Sequence, residues 1–72
     1  MDRSEHIRWC KERAMEYFRA GDLGNAVASM LSDLSKHPET ENLGKGIGML
    51  GIMMVANNDS DGVRRFIEGF RE

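Results

Sequence analysis

The fold is decided by residues 21–34, which read GDLGNAVASMLSDL. Apolar side chains recur in this stretch every three or four residues, on what would be one face of a helix. They are Leu23, Ala26, Val27, Met30, Leu31 and Leu34. Asp22 stands where its carboxylate can accept hydrogen bonds from free helix amides, and Gly21 suits the left-handed backbone that ends a preceding helix. The pattern predicts an amphipathic helix that follows another helix after a tight turn.

Helical patterns continue on both sides of this stretch. Upstream, Asp2 precedes Glu5 by three residues, the spacing of a capping box, and the apolar set Ile7, Cys10, Ala14, Tyr17 and Phe18 recurs at helical intervals. A first helix is therefore predicted over residues 3–19. Pro38 lacks a backbone donor and disfavours helical geometry at His37, so the second helix is predicted to end near residue 36.

Residues 43–56 are apolar on nearly all sides and contain glycine at positions 44, 46, 48 and 51. Each glycine costs about 0.5–1 kcal/mol relative to alanine inside a helix, so we expect Gly44, Gly48 and Gly51, which share one face, to pack closely against a neighbouring backbone. Two interpretations are open for the apolar side chains. Either this third helix is a core helix surrounded by the other three, or part of it forms an interface.

A turn cluster at residues 57–60 leads into a last amphipathic pattern, in which Val63, Phe66, Ile67 and Phe70 are spaced i, i+3, i+4 and i+7. No strand-like alternation competes with these patterns. The predicted fold is an all-α compact bundle of about four short helices. It forms a single domain over residues 1–72, built from hairpins 3–36 and 43–71.

Composition restricts the classes of function. A chain of 72 residues builds one small core of marginal stability. Its single cysteine, Cys10, excludes an internal disulfide and fits a reducing cytoplasm. The net charge of −2 disfavours nucleic-acid binding that rests on bulk electrostatics. The longest apolar run, residues 47–56, is shorter than the roughly 20 residues that cross a bilayer, so no membrane segment is predicted and a cytoplasmic location is expected.

The chain offers few groups for catalysis or metal binding. His6 and Cys10 are four residues apart on a helix and His37 could join them, but structural zinc normally takes four ligands. We therefore interpret the pair as a buried thiol beside a surface histidine and predict no metal. The glycine-rich residues 44–48 lack the spacing of a phosphate-binding loop. No cofactor and no enzymatic activity are predicted.

Three groups of residues are candidate binding sites. Trp9 projects away from the apolar face of the first helix, among Glu12 and Glu16, where it is either covered by the last helix or the start of the chain, or serves as an anchor for a partner. Met49, Ile52 and Met53 of the third helix form a second candidate, for a partner protein or a homodimer. A basic patch on the last helix forms a third, for nucleic acid: Arg64, Arg65 and Arg71.

The first hairpin resembles a single tetratricopeptide repeat, a helical hairpin with small and aromatic residues around a Gly-Asp turn. The matching residues are Ala14, Tyr17, Gly21, Asp22, Leu23, Ala26 and Pro38. The resemblance implies that Tyr17 and Leu23 fill the seam between two closely packed helices. Cys10 and Asp33 depart from it, standing where the repeat has tryptophan and a small residue. One repeat makes no peptide-binding groove, so the resemblance implies local geometry alone.

The chain as a whole is similar to a group of short proteins encoded by tailed bacteriophages. The resemblance rests on residues 1–11 (MDRSEHIRWCK), 28–34 (ASMLSDL), 36–40 (KHPET) and 65–70 (RFIEGF). It implies an accessory protein in the cytoplasm of an infected bacterium and implies no reaction. Our leading hypothesis is stoichiometric binding that modulates a host or phage protein. The alternative is a small structural or regulatory protein that contacts nucleic acid through the arginines of the last helix.

Overall fold

A computed structural model describes residues 2–43 and 47–71 of the chain. Four α-helices and no strand occur within these residues. They are α1 (Arg3–Arg19), α2 (Leu23–Leu34), α3 (Gly48–Ala56) and α4 (Ser60–Glu68). The predicted all-α bundle of four short helices is confirmed. No helix in the described ranges combines the length and the apolar character needed to span a membrane.

Helix α2 is the centre of the bundle, because it packs against each of the other three helices. Helix α1 also packs on α4, and α3 packs on α4, whereas α1 and α3 make no contact within the described residues. The buried core draws on α1, α2 and α4 and is completed by an aromatic ring after α4. It contains Ile7, Cys10, Ala14, Ala26, Val27, Met30, Leu34, Val63, Ile67 and Phe70.

The starts of α1, α2 and α4 follow from the sequence. The carboxylates of Asp2, Asp22 and Asp59 accept hydrogen bonds from backbone amides in the first turns of α1, α2 and α4, at 2.8, 3.1 and 2.9 Å. Gly21 has a φ of +80°, the left-handed conformation predicted for the turn between α1 and α2. Tyr17 is partly exposed, at 39%, in a groove that it shares with Asn25 and Ser29 of α2, rather than buried between the two helices.

Three helix boundaries differ from the predicted ones. Helix α4 ends at Glu68, so Phe70 of the last amphipathic pattern lies after the helix. Helix α2 ends at Leu34 rather than near residue 36, because the hydroxyl of the buried Thr40 donates to the carbonyl of Leu34 at 2.6 Å and to that of His37 at 3.3 Å. The first of these bonds satisfies a carbonyl that a longer helix could not have paired, because the residue four positions on is Pro38, which has no N–H. Helix α3 begins at Gly48 rather than at residue 43, and Leu43 belongs to a turn closed by a bond to Thr40.

The close approach predicted for the glycine face of α3 occurs at Gly51, but its neighbours are side chains rather than a backbone. Gly51 is the one buried residue among those of α3, and a Cβ placed on it would lie 2.8 Å from Cγ1 of Val27 and 3.1 Å from Cζ of Phe66. At Gly48 a Cβ would lie 3.5 Å from Cδ1 of Leu31, an ordinary van der Waals contact. Gly44, Lys45 and Gly46 lie outside the described residues. The interpretation of α3 as a surrounded core helix is wrong, because α3 lies at the side of the bundle and Gly51 is its one buried residue.

Candidate binding face on helix α3

The outer side of α3 carries four large apolar side chains that the rest of the described chain leaves more than half exposed. Met49, Leu50, Ile52 and Met53 are 69, 52, 57 and 54% exposed. We call these four residues the α3 face. Because Gly51 points inward, residues one and two positions away on either side must point outward or sideways. Gly48–Ala56 contains no charged residue.

Two apolar grooves run along the sides of α3. The groove between α3 and α4 has a volume of about 340 Å³ and is lined by Leu50, Met54, Phe66 and Phe70, with Arg65 at its edge. The groove between α2 and α3 has a volume of about 250 Å³ and is lined by Val27, Leu31, Ile52 and Val55, among others, and by no charged residue. The α3 face is therefore a ridge between two depressions of the same apolar character.

On the opposite side of α2, a network of hydrogen bonds surrounds the buried carboxylate of Asp33. Arg13 Nε donates to its Oδ2 at 2.7 Å and Lys36 Nζ donates to its Oδ1 at 2.9 Å, while Ser29 adds a longer bond of 3.4 Å. The Asp33 side chain is 2% exposed, whereas those of Arg13 and Lys36 are about half exposed. Burial by itself would raise the pKa of Asp33, but the bonds from Lys36 and Arg13 outweigh it and lower that pKa.

His6 extends this network to α1 and is buried, so its interpretation as a surface histidine was wrong. Its Nε2 lies 2.8 Å from the backbone carbonyl oxygen of Asp33, which can only accept, so Nε2 carries the proton and donates. The Cys10 thiol lies 3.5 Å from the same nitrogen. Burial, together with the nearby charge of Asp33, raises the pKa of Cys10 to about 11. The thiol is therefore protonated at neutral pH and is a poor nucleophile.

These contacts also bear on whether His6 and Cys10 could bind a metal ion. The imidazole nitrogen that faces the thiol already donates to a carbonyl, and the His37 ring lies 5.0 Å from the His6 ring, centroid to centroid. Within the described ranges, no three His, Cys, Asp or Glu side chains are grouped so that they could hold a metal ion. No buried side-chain nitrogen or oxygen in this part of the chain lacks a hydrogen-bond partner.

Trp9 is half-buried beside the Asp33 network. Its ring stacks on His6 at 5.6 Å between centroids, and the cationic ends of Arg13 and Lys36 lie 4.9 and 5.8 Å from the Trp9 ring centre. The cover over this aromatic side chain includes His6 and Arg13 of α1 and Lys36, which follows α2. These contacts favour a structural role, and anchoring of a partner by Trp9 stays a prediction.

The other predicted site residues lie on separate surfaces. Glu12 and Glu16 are exposed on α1, in a shallow groove that they share with Arg8, Lys11 and Arg19, so its charge is mixed rather than acidic. Because α1 and α3 do not touch within the described residues, these glutamates and the α3 face do not form one site. The arginines of the alternative hypothesis are all exposed: Arg64, Arg65 and Arg71.

Sequence reasoning missed two features that the structure brings out. Asp33 was noted as a departure from a repeat pattern, yet it is spaced seven residues from Ala26 and three from Met30, which puts it on the apolar side of α2. A carboxylate on an apolar helix face indicates a buried ion pair, and this signal was present in the sequence. Leu50 is not among the predicted binding residues, because nothing in a uniformly apolar segment distinguishes it from its neighbours.

The described residues form a small helical bundle. The charged groups around Asp33 bond to one another, and the main uncovered surface, the α3 face, is apolar. Comparison of the chain with protein-family models, curated proteins and solved structures found no match.

Proposed function

We propose that this protein acts stoichiometrically, by binding another protein through the α3 face. The observation that carries the proposal is the exposure of Met49, Leu50, Ile52 and Met53, each by more than half, on a helix without a charged residue. Contiguous apolar patches on small soluble proteins commonly mark interaction sites. Methionine side chains suit such a site because their flexibility lets them fit an irregular partner surface.

The remaining chemistry of the chain supports binding rather than catalysis. The charged groups around Asp33 are engaged with one another, and the pKa of Cys10, about 11, keeps its thiol protonated. The resemblance to short proteins of tailed bacteriophages supplies the setting of this proposal. In that setting the protein is an accessory factor in the cytoplasm of the infected bacterium, and its partner is a host or phage protein.

Affinity capture with a charge variant of the α3 face tests the proposal. Tagged unaltered protein is expected to retain one protein from bacterial lysate in nearly equimolar amount, whereas Ile52→Lys retains it at least tenfold less, because a buried lysine would lose its hydration. Quantitative mass spectrometry measures the retained protein. Ala20→Lys is the matched control, since it adds the same charge at an exposed position next to α1, which does not contact α3.

Several results would contradict the proposal. Retention that survives Ile52→Lys but is lost on Glu12→Lys would place the site on α1 and near Trp9. Retention of nucleic acid, lost when Arg64, Arg65 and Arg71 are replaced, would favour the nucleic-acid alternative, which the exposure of these arginines supports.

A further inference from the structure

A polar groove lies between α1 and α2 and contains none of the residues of the α3 face. Its volume is about 240 Å³, and the side chains that line it include Arg13, Tyr17, Ser29, Ser32, Asp33 and Lys36. Pockets that hold drug-sized ligands have volumes of about 300–1,000 Å³. This groove, which we call the α1–α2 groove, therefore has room for a small polar group rather than for a whole nucleotide.

Two cations of the α1–α2 groove are held in place from two directions. The buried carboxylate of Asp33 accepts from Arg13 Nε at 2.7 Å and from Lys36 Nζ at 2.9 Å. The same two cationic ends lie over the ring of Trp9, at 4.9 and 5.8 Å from its centre. These contacts restrict the conformations of both side chains before any ligand arrives, so a ligand that binds them loses less affinity to the ordering of side chains.

Both cations keep hydrogen-bond donors that the network does not use. Arg13 has five N–H groups and Lys36 has three, and each spends one of them on Asp33 within the described residues. Their side chains are 45 and 55% exposed, so the remaining donors are open to solvent. Both oxygens of Asp33 are already bonded. Two cations and one carboxylate leave one positive charge in excess, which suits an anion.

The acid that follows Arg13 along α1 does not cancel this excess inside the groove. Glu16 lines a different groove, together with Arg8, Lys11 and Arg19. The α1–α2 groove thus combines an excess of donors with an excess of positive charge, and its one carboxylate is buried and engaged.

The variety of the donors favours a phosphoryl group over a carboxylate. The groove offers a planar guanidinium, an ammonium group and the hydroxyls of Tyr17 and Ser32, and they come from both helices. A phosphoryl group has three acceptor oxygens in tetrahedral directions and a charge of about −1.5 to −2 near neutral pH, and arginine binds it with two parallel bonds. A carboxylate offers two oxygens in one plane and a single charge.

We propose that the α1–α2 groove binds a phosphoryl group through Arg13 and Lys36, either as inorganic phosphate or as the phosphate monoester of a serine side chain. The cations bind the phosphate oxygens, and Asp33 is a positioning residue that holds both cations toward the groove. This inference goes beyond the proposed function and does not depend on it, because it uses no residue of the α3 face.

A titration followed by nuclear magnetic resonance tests the inference. The Nε–H signal of Arg13 is expected to shift saturably when sodium phosphate replaces sodium chloride at constant ionic strength, with half-saturation at about 1–10 mM. Ser32→Glu puts a carboxylate into the groove at an exposed position and is expected to weaken the binding at least tenfold. Asn57→Asp adds the same charge at an exposed position after α3 and is expected to leave it unchanged.

A second titration, with phosphoserine blocked at both ends, distinguishes the two sources of the phosphoryl group. Half-saturation below that of inorganic phosphate would indicate a phosphorylated side chain, and the reverse order would indicate the free ion. The inference is overturned if neither compound gives a saturable shift, if acetate gives the same shift, or if Ser32→Glu binds phosphate as tightly as the unaltered protein. Each of these results leaves the capture experiment on the α3 face unaffected.

Discussion

Replacing Gly51 with leucine is expected to separate α3 from the bundle and to lower the free energy of unfolding by about 3 kcal/mol or more. Even the first carbon of the new side chain would lie 2.8 Å from Cγ1 of Val27 and 3.1 Å from Cζ of Phe66. Val27 belongs to the buried core, and Phe66 packs against it, so neither can move away without disturbing the rest. Urea denaturation followed by circular dichroism measures the loss.

Gly24→Ala is the matched control for this substitution. Gly24 lies on the exposed side of α2, and the nearest atom to a Cβ placed there is 3.9 Å away, an ordinary contact. Alanine at this position is expected to raise the free energy of unfolding by about 0.4–1 kcal/mol, because it restricts the unfolded chain. A Gly51→Leu protein as stable as the unaltered one would show that α3 does not pack on α2 and α4 as described.

Replacing Asp33 with asparagine is expected to lower the free energy of unfolding at pH 7 by about 1–3 kcal/mol. Asparagine keeps the size of the side chain but removes the charge that holds Arg13 and Lys36, and its amide group places N–H donors against a cation. The cost stays below that of breaking a fully buried ion pair, because both cations are about half exposed and regain water. Glu16→Gln makes the same chemical change at an exposed carboxylate and is expected to cost less than about 0.5 kcal/mol.

The loss of stability caused by Asp33→Asn is also expected to become smaller as pH falls. The native pKa of Asp33 is lowered from its ordinary value of 3.8, so its ionised form stabilises the fold above about pH 4. That stabilisation is lost as pH falls through the native pKa. Urea denaturation over a range of pH should therefore show the unaltered protein and the variant converging in stability below pH 4. A difference that stays the same at pH 7 and in acid would rule out the carboxylate charge as its cause.

Most of the backbone could be predicted from local sequence rules. The caps at Asp2 and Asp22 and the left-handed turn at Gly21 depend on residues within three positions of one another, so periodicity and capping located α1 and the start of α2. The end of α2 could not be located in this way, because it depends on the Thr40 hydroxyl reaching back six residues to the Leu34 carbonyl. A bond between a side chain and a distant carbonyl leaves no periodic signal.

The candidate site was predicted only in part, for a reason that concerns α3 itself. When a helix is apolar on all sides, no side is more hydrophobic than the others, so the sequence leaves open which side faces the core. The position of Gly51 against Val27 and Phe66 decides the matter, and only the packed structure shows it. With Gly51 inward, Met49, Ile52 and Met53 are left outside. The burial of His6 likewise depends on Asp33, which is 27 residues away.

The most direct test of the central claim, that the α3 face serves binding and not folding, is the free energy of unfolding of Ile52→Lys. It is measured by urea denaturation at a concentration where the unaltered protein is monomeric. Because Ile52 is 57% exposed, the value is expected to lie within about 0.5 kcal/mol of that of the unaltered protein. A loss of about 2 kcal/mol or more, the cost of placing a polar group in a core, would show that Ile52 is needed for folding and would contradict the account.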